Sequence, residues 1–302
     1  MERLMHPKVL VDAYRRGENI TALLRNLDAQ DGNTEAIIET AYDLQAGSYV
    51  EAMAQPELRE HKTRYGAAIA AELLALTEPA SLLEAGVGEG TTLSFVLRAL
   101  APRSIAAHGF DLSWSRIATC RDWLSAEGSA DCTLSVASLL HQPYADNSFD
   151  LVYTSHTVEP NGGREAEVLR ELYRVSSRYL VLLEPGYELA SDEARARMER
   201  LGYCRNLPGV ATDLGMKVVR HELFAHSVNP LNPTALTIIA KEPSAATATP
   251  RFACPQFGDP LHPKAGAFFS SASLRAYPML GGIPCLRPQD GVVASAFERL
   301  AR

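Results

Sequence analysis

The stretch Glu84-Ala85-Gly86-Val87-Gly88-Glu89-Gly90 is the part of this chain that leaves the fewest folds open. It closes the apolar run Ser81 to Ala85, short enough for a strand, and precedes Leu93, Val96, Leu97 and Leu100, which recur at helical spacing. A glycine turn between a strand and a helix lets the backbone bend tightly and approach a ligand with no Cβ in the way. The helix that follows points its unpaired amide donors into the same crevice.

Beyond this turn, short apolar runs alternate with amphipathic stretches, as βαβ units around a parallel sheet require. The pattern predicts strands at 81–85, 105–110, 133–136, 151–155, 179–183, 217–224 and 234–240, with helices between the first five. Their apolar faces are Leu93 to Leu100, then Ile117, Cys120 and Leu124, then Val168, Leu169, Leu172 and Val175. Only a loop separates the last two strands, so they are expected to pair as an antiparallel hairpin. Upstream the pattern is helical: Asn33 can cap a segment carrying Ile37, Ile38, Ala41 and Tyr42, and Pro56 opens another with Tyr65, Ile69, Leu73 and Leu76 on its buried stripe.

The expected fold class is therefore α/β: a doubly wound, seven-stranded, mostly parallel, Rossmann-like sheet at 79–242, a helical N-terminal cap at 1–78 and a small C-terminal α+β module at 243–302. Pro243 to Pro250 lacks large apolar residues and reads as a linker. The module holds Cys254-Pro255, the run Tyr277 to Pro284 and an expected closing helix near Val292 to Leu300.

At 46% hydrophobic and 22% charged residues the chain can bury a core, so disordered and fibrous classes are excluded. Its formal net charge of -7 disfavours a nucleic-acid partner, because a phosphate backbone is repelled on average. The first residues are charged and interrupted by Pro7, unlike a signal peptide, and no run is long enough for a membrane span. Five scattered cysteines without a Cys-x-x-Cys pair read as reduced thiols, and together these features predict a cytoplasmic protein without a membrane.

Asp111 ends the second expected strand about twenty residues beyond the glycine turn, where an acid can accept both hydroxyls of a ribose, so loop and acid together suggest an adenosine ligand. Where a nicotinamide dinucleotide loop has its third glycine, this chain has Thr91. The spacing Gly86, Gly88, Gly90 instead resembles the first motif of class I S-adenosylmethionine-dependent methyltransferases. The resemblance extends over about residues 80 to 240, through Gly-Phe-Asp-Leu-Ser (109 to 113), Pro-Tyr-Ala-Asp-Asn-Ser-Phe-Asp-Leu-Val-Tyr (143 to 153), Leu-Arg-Glu-Leu-Tyr-Arg-Val (169 to 175) and Leu-Leu-Glu-Pro-Gly (182 to 186).

The resemblance implies S-adenosyl-L-methionine as cofactor. Glu84 would hold the methionine amino group, Gly86, Gly88 and Gly90 would form the loop, Asp111 would bind the ribose, and Leu112 and Leu139 would cover the adenine. Where the family often has an acid for the adenine amino group, this chain has Ser138, so its hydroxyl or the backbone is expected there. Arg64, with Tyr42 and Tyr49, could close over the cofactor and pair its carboxylate, or Tyr42 could simply belong to a buried helical face. His156 follows the fourth strand, where a base would stand if the acceptor needs one, or it only lines the cofactor pocket; Glu159 is a second candidate.

The C-terminal run resembles a small zinc-ribbon-like module that activates several tRNA and protein methyltransferases. The partner position of Cys254 is Phe257, and with only Cys285 left four thiolates cannot be assembled, so no metal site is expected. The expected function is methyl transfer to oxygen or nitrogen of a small-molecule acceptor. An RNA acceptor or a non-catalytic scaffold that keeps the fold are the alternatives, and a homodimer is left open.

Overall fold

The computed structural model describes residues 7–28, 32–227, 229–242 and 249–301. Five helices come first: α1 (Pro7–Arg15), α2 (Ile20–Asp28), α3 (Glu35–Asp43), α4 (Ser48–Ala52) and α5 (Pro56–Leu76). Helix α3 is capped by Thr34, whose side chain accepts from the Ile37 N–H, and not by Asn33. Asn33 is buried and donates instead to the Pro160 carbonyl, so it ties this region to the sheet. Pro56 does open α5, which buries Tyr65, Ile69 and Leu73.

There follow β1 (Ser81–Ala85), α6 (Leu93–Leu100), β2 (Ala106–Asp111), α7 (Trp114–Ala126), β3 (Thr133–Val136), β4 (Phe149–Ser155), α8 (Glu165–Val175), β5 (Ser176–Pro185), α9 (Asp192–Leu201), α10 (Leu207–Asp213), β6 (Lys217–Leu223) and β7 (Thr234–Ala240). They form one seven-stranded sheet in the order β3-β2-β1-β4-β5-β7-β6. The first five are parallel, and β7 runs antiparallel to both β5 and β6, as the hairpin expectation requires.

Successive residues of the central strands face opposite sides, and both sides are covered. Leu83, Val152, Leu180 and Leu182 pack with α8 and α10 residues, whereas Leu82, Leu151, Tyr153 and Val181 pack with residues of α5, α6 and α7. Each such fully buried aliphatic side chain contributes roughly 1.5–3 kcal/mol. This two-sided burial is why the strands read as continuous apolar runs.

Two expectations need correction. There is no helix between β3 and β4; residues 137–148 form a connection whose Tyr144 bridges to Phe252. The C-terminal segment thus covers ground that a crossover helix covers elsewhere. Two helices, α9 and α10, stand between β5 and β6, where none was predicted. Seven alanine, glycine and proline residues within 190–211 dilute the apolar periodicity that marks a helix, although Ala194, Met198, Leu207 and Ala211 are buried.

The C-terminal segment adds β8 (His262–Lys264), β9 (Ala267–Ser270), β10 (Arg275–Leu280), β11 (Ile283–Pro284), β12 (Val292–Val293) and α11 (Phe297–Leu300). Only the last turn of the expected closing helix is helical, since Val292 and Val293 pair with β10. Most of the expected linker, 243–248, lies outside the described residues. Cys285 bridges to Val136, and the Leu286 N–H donates to the Val136 carbonyl at 2.8 Å, so this segment continues the main sheet beyond the edge strand β3. Among the described residues no helix is long and apolar enough to cross a membrane.

Candidate active site

The carboxyl ends of β1, β2, β3 and β4 open into a cavity of about 510 Å³. This is the edge at which open α/β sheets place their ligands. Gly86 and Gly88 line it with φ of 71° and 56°. A Cβ on Gly86 would stand 1.8 Å from Cγ2 of Thr157, so glycine is required there for spacing as well as for conformation. Gly90 belongs to the same turn but is not part of the cavity wall; its α-carbon faces Cys120 and Leu124.

Glu84 closes β1 and is buried, with Oε2 accepting the Tyr153 hydroxyl at 2.6 Å. Burial pushes its pKa up to about 8, against the Tyr153 bond and the Lys62 charge, which pull it down. Asp111 closes β2; its Oδ2 accepts the Gly88 N–H at 3.0 Å and its Oδ1 the Ser113 N–H at 2.9 Å. Beside it stands Arg116 of α7, over the rings of Tyr42 (5.2 Å) and Tyr49 (5.0 Å). Arg116 Nε is a buried donor without a hydrogen-bond partner among the described residues. Leu112, Ala137 and Leu139 supply an apolar slot next to Asp111.

The opposite wall comes from α3, α4 and α5: Glu35, Ile38, Tyr42, Tyr49 and Lys62. Polar contacts dock these helices onto the sheet. Glu89 accepts the N–H groups of Gly47 (3.0 Å) and Val50 (2.8 Å), and Asp43 accepts from Ser113 Oγ (2.6 Å) and Ser115 Oγ (3.1 Å) at the start of α7. Burial pushes the Tyr42 phenol far up, so it remains neutral.

Arg64 does not reach the cavity. It is exposed and paired with Glu60 one turn away, and the cation that lines the cavity is Lys62, which donates to Thr92 Oγ1 at 2.9 Å. Residues two apart on a helix point to nearly opposite sides, and Lys62 stands three before the buried Tyr65. That spacing was the available signal. Ser138 is also outside the wall; its hydroxyl donates to Glu35 and accepts the Leu140 N–H at 3.0 Å.

At the far end His156, in the left-handed region at φ 55°, holds Glu159 through Nδ1 (2.7 Å) and Thr234 Oγ1 through Nε2 (2.8 Å). Asn232 also donates to Glu159, at 3.0 Å. Burial works against a charged imidazole, but the Glu159 hydrogen bond and charge outweigh it and keep the His156 pKa above its ordinary value. Glu159 is held below the usual carboxylate range: burial is outweighed by the bonds from His156 and Asn232. The buried Glu184 accepts the N–H groups of Thr157 and Glu159, each at 3.0 Å, and so fixes the turn that carries the pair. Asn232, Thr234, Arg116, Lys62 and Glu35 escaped the sequence reading, because each reaches the site from a segment with no recognisable motif.

No residue of 249–301 lines the cavity. Cys254 Sγ is buried 3.2 Å from the Tyr277 hydroxyl, and among the described residues no group of three or more His, Cys, Asp or Glu side chains could hold a metal ion.

The residues fit a sulfonium nucleoside. The buried Glu84 carboxyl suits an ammonium and Lys62 a carboxylate. Asp111, with the Arg116 guanidinium close by, would suit ribose hydroxyls, and the apolar side chains of Leu112 and Leu139 would suit a flat base.

Comparison with known proteins points the same way. Residues 82–178 match the family model described as a methyltransferase domain. Methyltransferase GfsG of Streptomyces halstedii is 25% identical over 177 residues, which cover 51% of this chain and 59% of that protein; the chain therefore spans less than two thirds of this relative. Magnesium protoporphyrin IX methyltransferase from Synechocystis PCC 6803, solved with bound S-adenosylhomocysteine, superposes with a TM-score of 0.51 at 13% identity over 69% of this chain and all of that one. A S-adenosylmethionine-dependent methyltransferase from Aquifex aeolicus gives 0.47 at 17% identity, covering 64% and 96% of the two chains. Residues 82–178 thus carry a methyltransferase domain.

Proposed function

We propose that the chain transfers the methyl group of S-adenosylmethionine to an oxygen or nitrogen of a small-molecule acceptor. The observation that carries this reading is the His156–Glu159 pair at the carboxyl end of β4, beside the cavity. The bound cofactor supplies an electrophilic methyl group on a sulfonium; alignment with the acceptor and removal of the acceptor's proton fall to the protein.

With Nδ1–H donating to Glu159, the lone pair of His156 Nε2 points toward Thr234 Oγ1. An acceptor hydroxyl or amine that replaces Thr234 as the hydrogen-bond partner of Nε2 would give its proton to that nitrogen, leaving its oxygen or nitrogen free to take the methyl group that the sulfonium would give up as its carbon–sulfur bond breaks. The resulting imidazolium is stabilised by the ionised Glu159, the arrangement that raises the His156 pKa. Tyr42 and Tyr49 keep water from the methyl group, and the walls from α3 to α5 suit an acceptor small enough to be enclosed. All five cysteines are unpaired, which supports a reducing, cytoplasmic setting.

Purified protein incubated with methyl-labelled S-adenosylmethionine and a cell extract, fractionated into small molecules, RNA and protein, tests this. Label is expected among the small molecules and absent with Asp111→Ala. Label in RNA or protein would overturn the acceptor class.

A further inference from the structure

Glu184, next to last in β5, is an acid only 1% exposed, and it is not part of the cavity wall. Burying a carboxyl is costly unless its oxygens are paired. Here each oxygen has its own donor: Oε1 accepts the Thr157 N–H and Oε2 the Glu159 N–H, both at 3.0 Å.

The two donors lead in opposite directions. The Thr157 hydroxyl donates to the Gly86 carbonyl at 2.9 Å, and its Cγ2 fills the space beside the Gly86 α-carbon. Glu159 is bonded to His156 Nδ1 at 2.7 Å, and His156 Nε2 meets Thr234 Oγ1 at 2.8 Å. Since β1, β4, β5 and β7 are successive neighbours in the sheet, these bonds form one line along its carboxyl edge, from the glycine turn after β1 to the start of β7. Register puts Glu184 at the centre of that line: the preceding Leu183 accepts the His156 N–H at 2.9 Å, while Glu184 and Pro185 pair with Ala235 and Thr234. An in-line methyl transfer needs base and sulfonium held at a fixed separation.

We infer that Glu184 is a positioning residue for methyl transfer: its carboxylate ties the turn that carries the His156–Glu159 pair to the glycine turn of the cofactor site, and so sets the distance between base and methyl group. The inference rests on the reading of His156 as the base. A carboxylate is required in this role, because a glutamine presents one acceptor oxygen and sets its NH2 against the other N–H. The charge counts as well. The charged groups that act on the imidazole are Glu159 of its own turn, Glu184 of β5 and Lys62 of α5, with the neutral Thr234 of β7 on Nε2; the two acids favour the imidazolium and Lys62 opposes it. Burial pushes the Glu184 carboxyl above its ordinary range, and the His156 charge and the Thr157 N–H pull it back.

The test follows both ends of the line in the whole chain, with no acceptor present: the ring nitrogens of His156 by NMR through a pH titration, and the calorimetric affinity for S-adenosylhomocysteine. Glu184→Gln should move the His156 midpoint to lower pH and weaken the nucleoside about three- to tenfold, as the loss of one buried hydrogen bond implies. Thr157→Val, which cuts the bond to the Gly86 carbonyl but leaves the acid in place, should weaken the nucleoside comparably and leave the His156 midpoint where it was. Calorimetric stoichiometry gives the binding-competent fraction, so a partial loss of folded protein does not pass for a loss of affinity. If Glu184→Gln does not fold, Glu184→Asp, too short to span both N–H groups, takes its place and should weaken the nucleoside likewise. An unmoved His156 midpoint in Glu184→Gln, or unaltered affinity in whichever of the two variants folds, overturns the role of Glu184 and leaves the base reading standing, since neither readout depends on turnover. Full turnover in His156→Ala would remove the base and this role with it, whatever the two readouts give. An unaltered protein that binds no S-adenosylhomocysteine overturns the cofactor reading and the inference together.

Discussion

One wall of the cavity is made of strand ends, with Glu84, Gly86 to Gly88, Asp111, Leu112, Ala137 and Leu139; the other is made of helices α3 to α5, with Glu35, Tyr42, Tyr49 and Lys62. The strand wall presents backbone turns and a few short side chains held by the sheet's register. The helix wall presents long side chains whose positions depend on docking through Asp43 and Glu89. A site on strand ends is specified locally, whereas a site on docked helices is specified only by the assembled fold. The two walls should therefore respond differently to substitution.

The largest effect is expected where neither wall can substitute for chemistry. His156→Ala should lower kcat by about 10² to 10⁴, while S-adenosylhomocysteine binds within about threefold of the unaltered affinity, because losing the base removes no contact that the nucleoside half of the cavity makes. Glu159→Gln should fall in the same direction by less. Single-turnover rates beside calorimetric affinities separate the two; an equal loss of binding would assign His156 to the cofactor instead.

Next comes the rigidity of the strand wall. Gly86→Ala places a methyl group 1.8 Å from Thr157 Cγ2 at a positive φ. With strain of roughly 1–3 kcal/mol for the backbone alone, cofactor affinity should drop about a hundredfold, and Thr157→Gly in the same chain should restore part of it. If Gly86→Ala binds normally, the strand wall is as adaptable as the helix wall and the contrast between them fails.

The same contrast explains what the sequence revealed. Gly86, Gly88, Glu84 and Asp111 were legible because one strand–turn–helix unit and the strand after it carry them at fixed spacing. Strands β1, β3 and β7 were legible to the residue, and β1 and β7 are buried along nearly their whole length. Lys62 was displaced in the reading by Arg64: both are cations near the right place, and only the buried stripe through Tyr65 tells them apart. Glu35 was invisible, because nothing within α3 records that Ser138 will lie against it. The missing helix between β3 and β4 had the same cause, as the residue that takes its place, Phe252, lies far along the chain.

The protonation of Glu84 offers a smaller, graded test of the strand wall. Burial pushes its pKa up to about 8, so near neutral pH the carboxyl is largely protonated before the ligand arrives. An incoming ammonium favours the ionised form, so binding releases a proton and affinity should rise with pH by roughly tenfold between pH 6 and 7. The rise should flatten toward pH 8, where a free α-amino group, with pKa about 7.7–8.0, begins to lose its own charge. Glu84→Gln should bind more weakly and without this slope. A slope that persists in that variant would place the released proton elsewhere.

The smallest effect separates Lys62 from Arg64, the cation that the sequence reading placed at the cofactor. Lys62→Met removes the one lysine in the cavity wall and should weaken S-adenosylhomocysteine about five- to tenfold, since a half-buried ion pair with the ligand carboxylate is worth on the order of 1 kcal/mol. Arg64→Met removes only an exposed pair with Glu60 and should change affinity less than about twofold. Burial lowers the Lys62 pKa and Glu84 raises it again, so the ammonium is sustained by the carboxylate across the cavity. The two variants are therefore best compared at pH 8, where Glu84 is about half ionised. If Arg64→Met proves the more damaging, α5 turns a different face to the cavity; if Lys62→Met does, the helix wall contributes its own charge to the site.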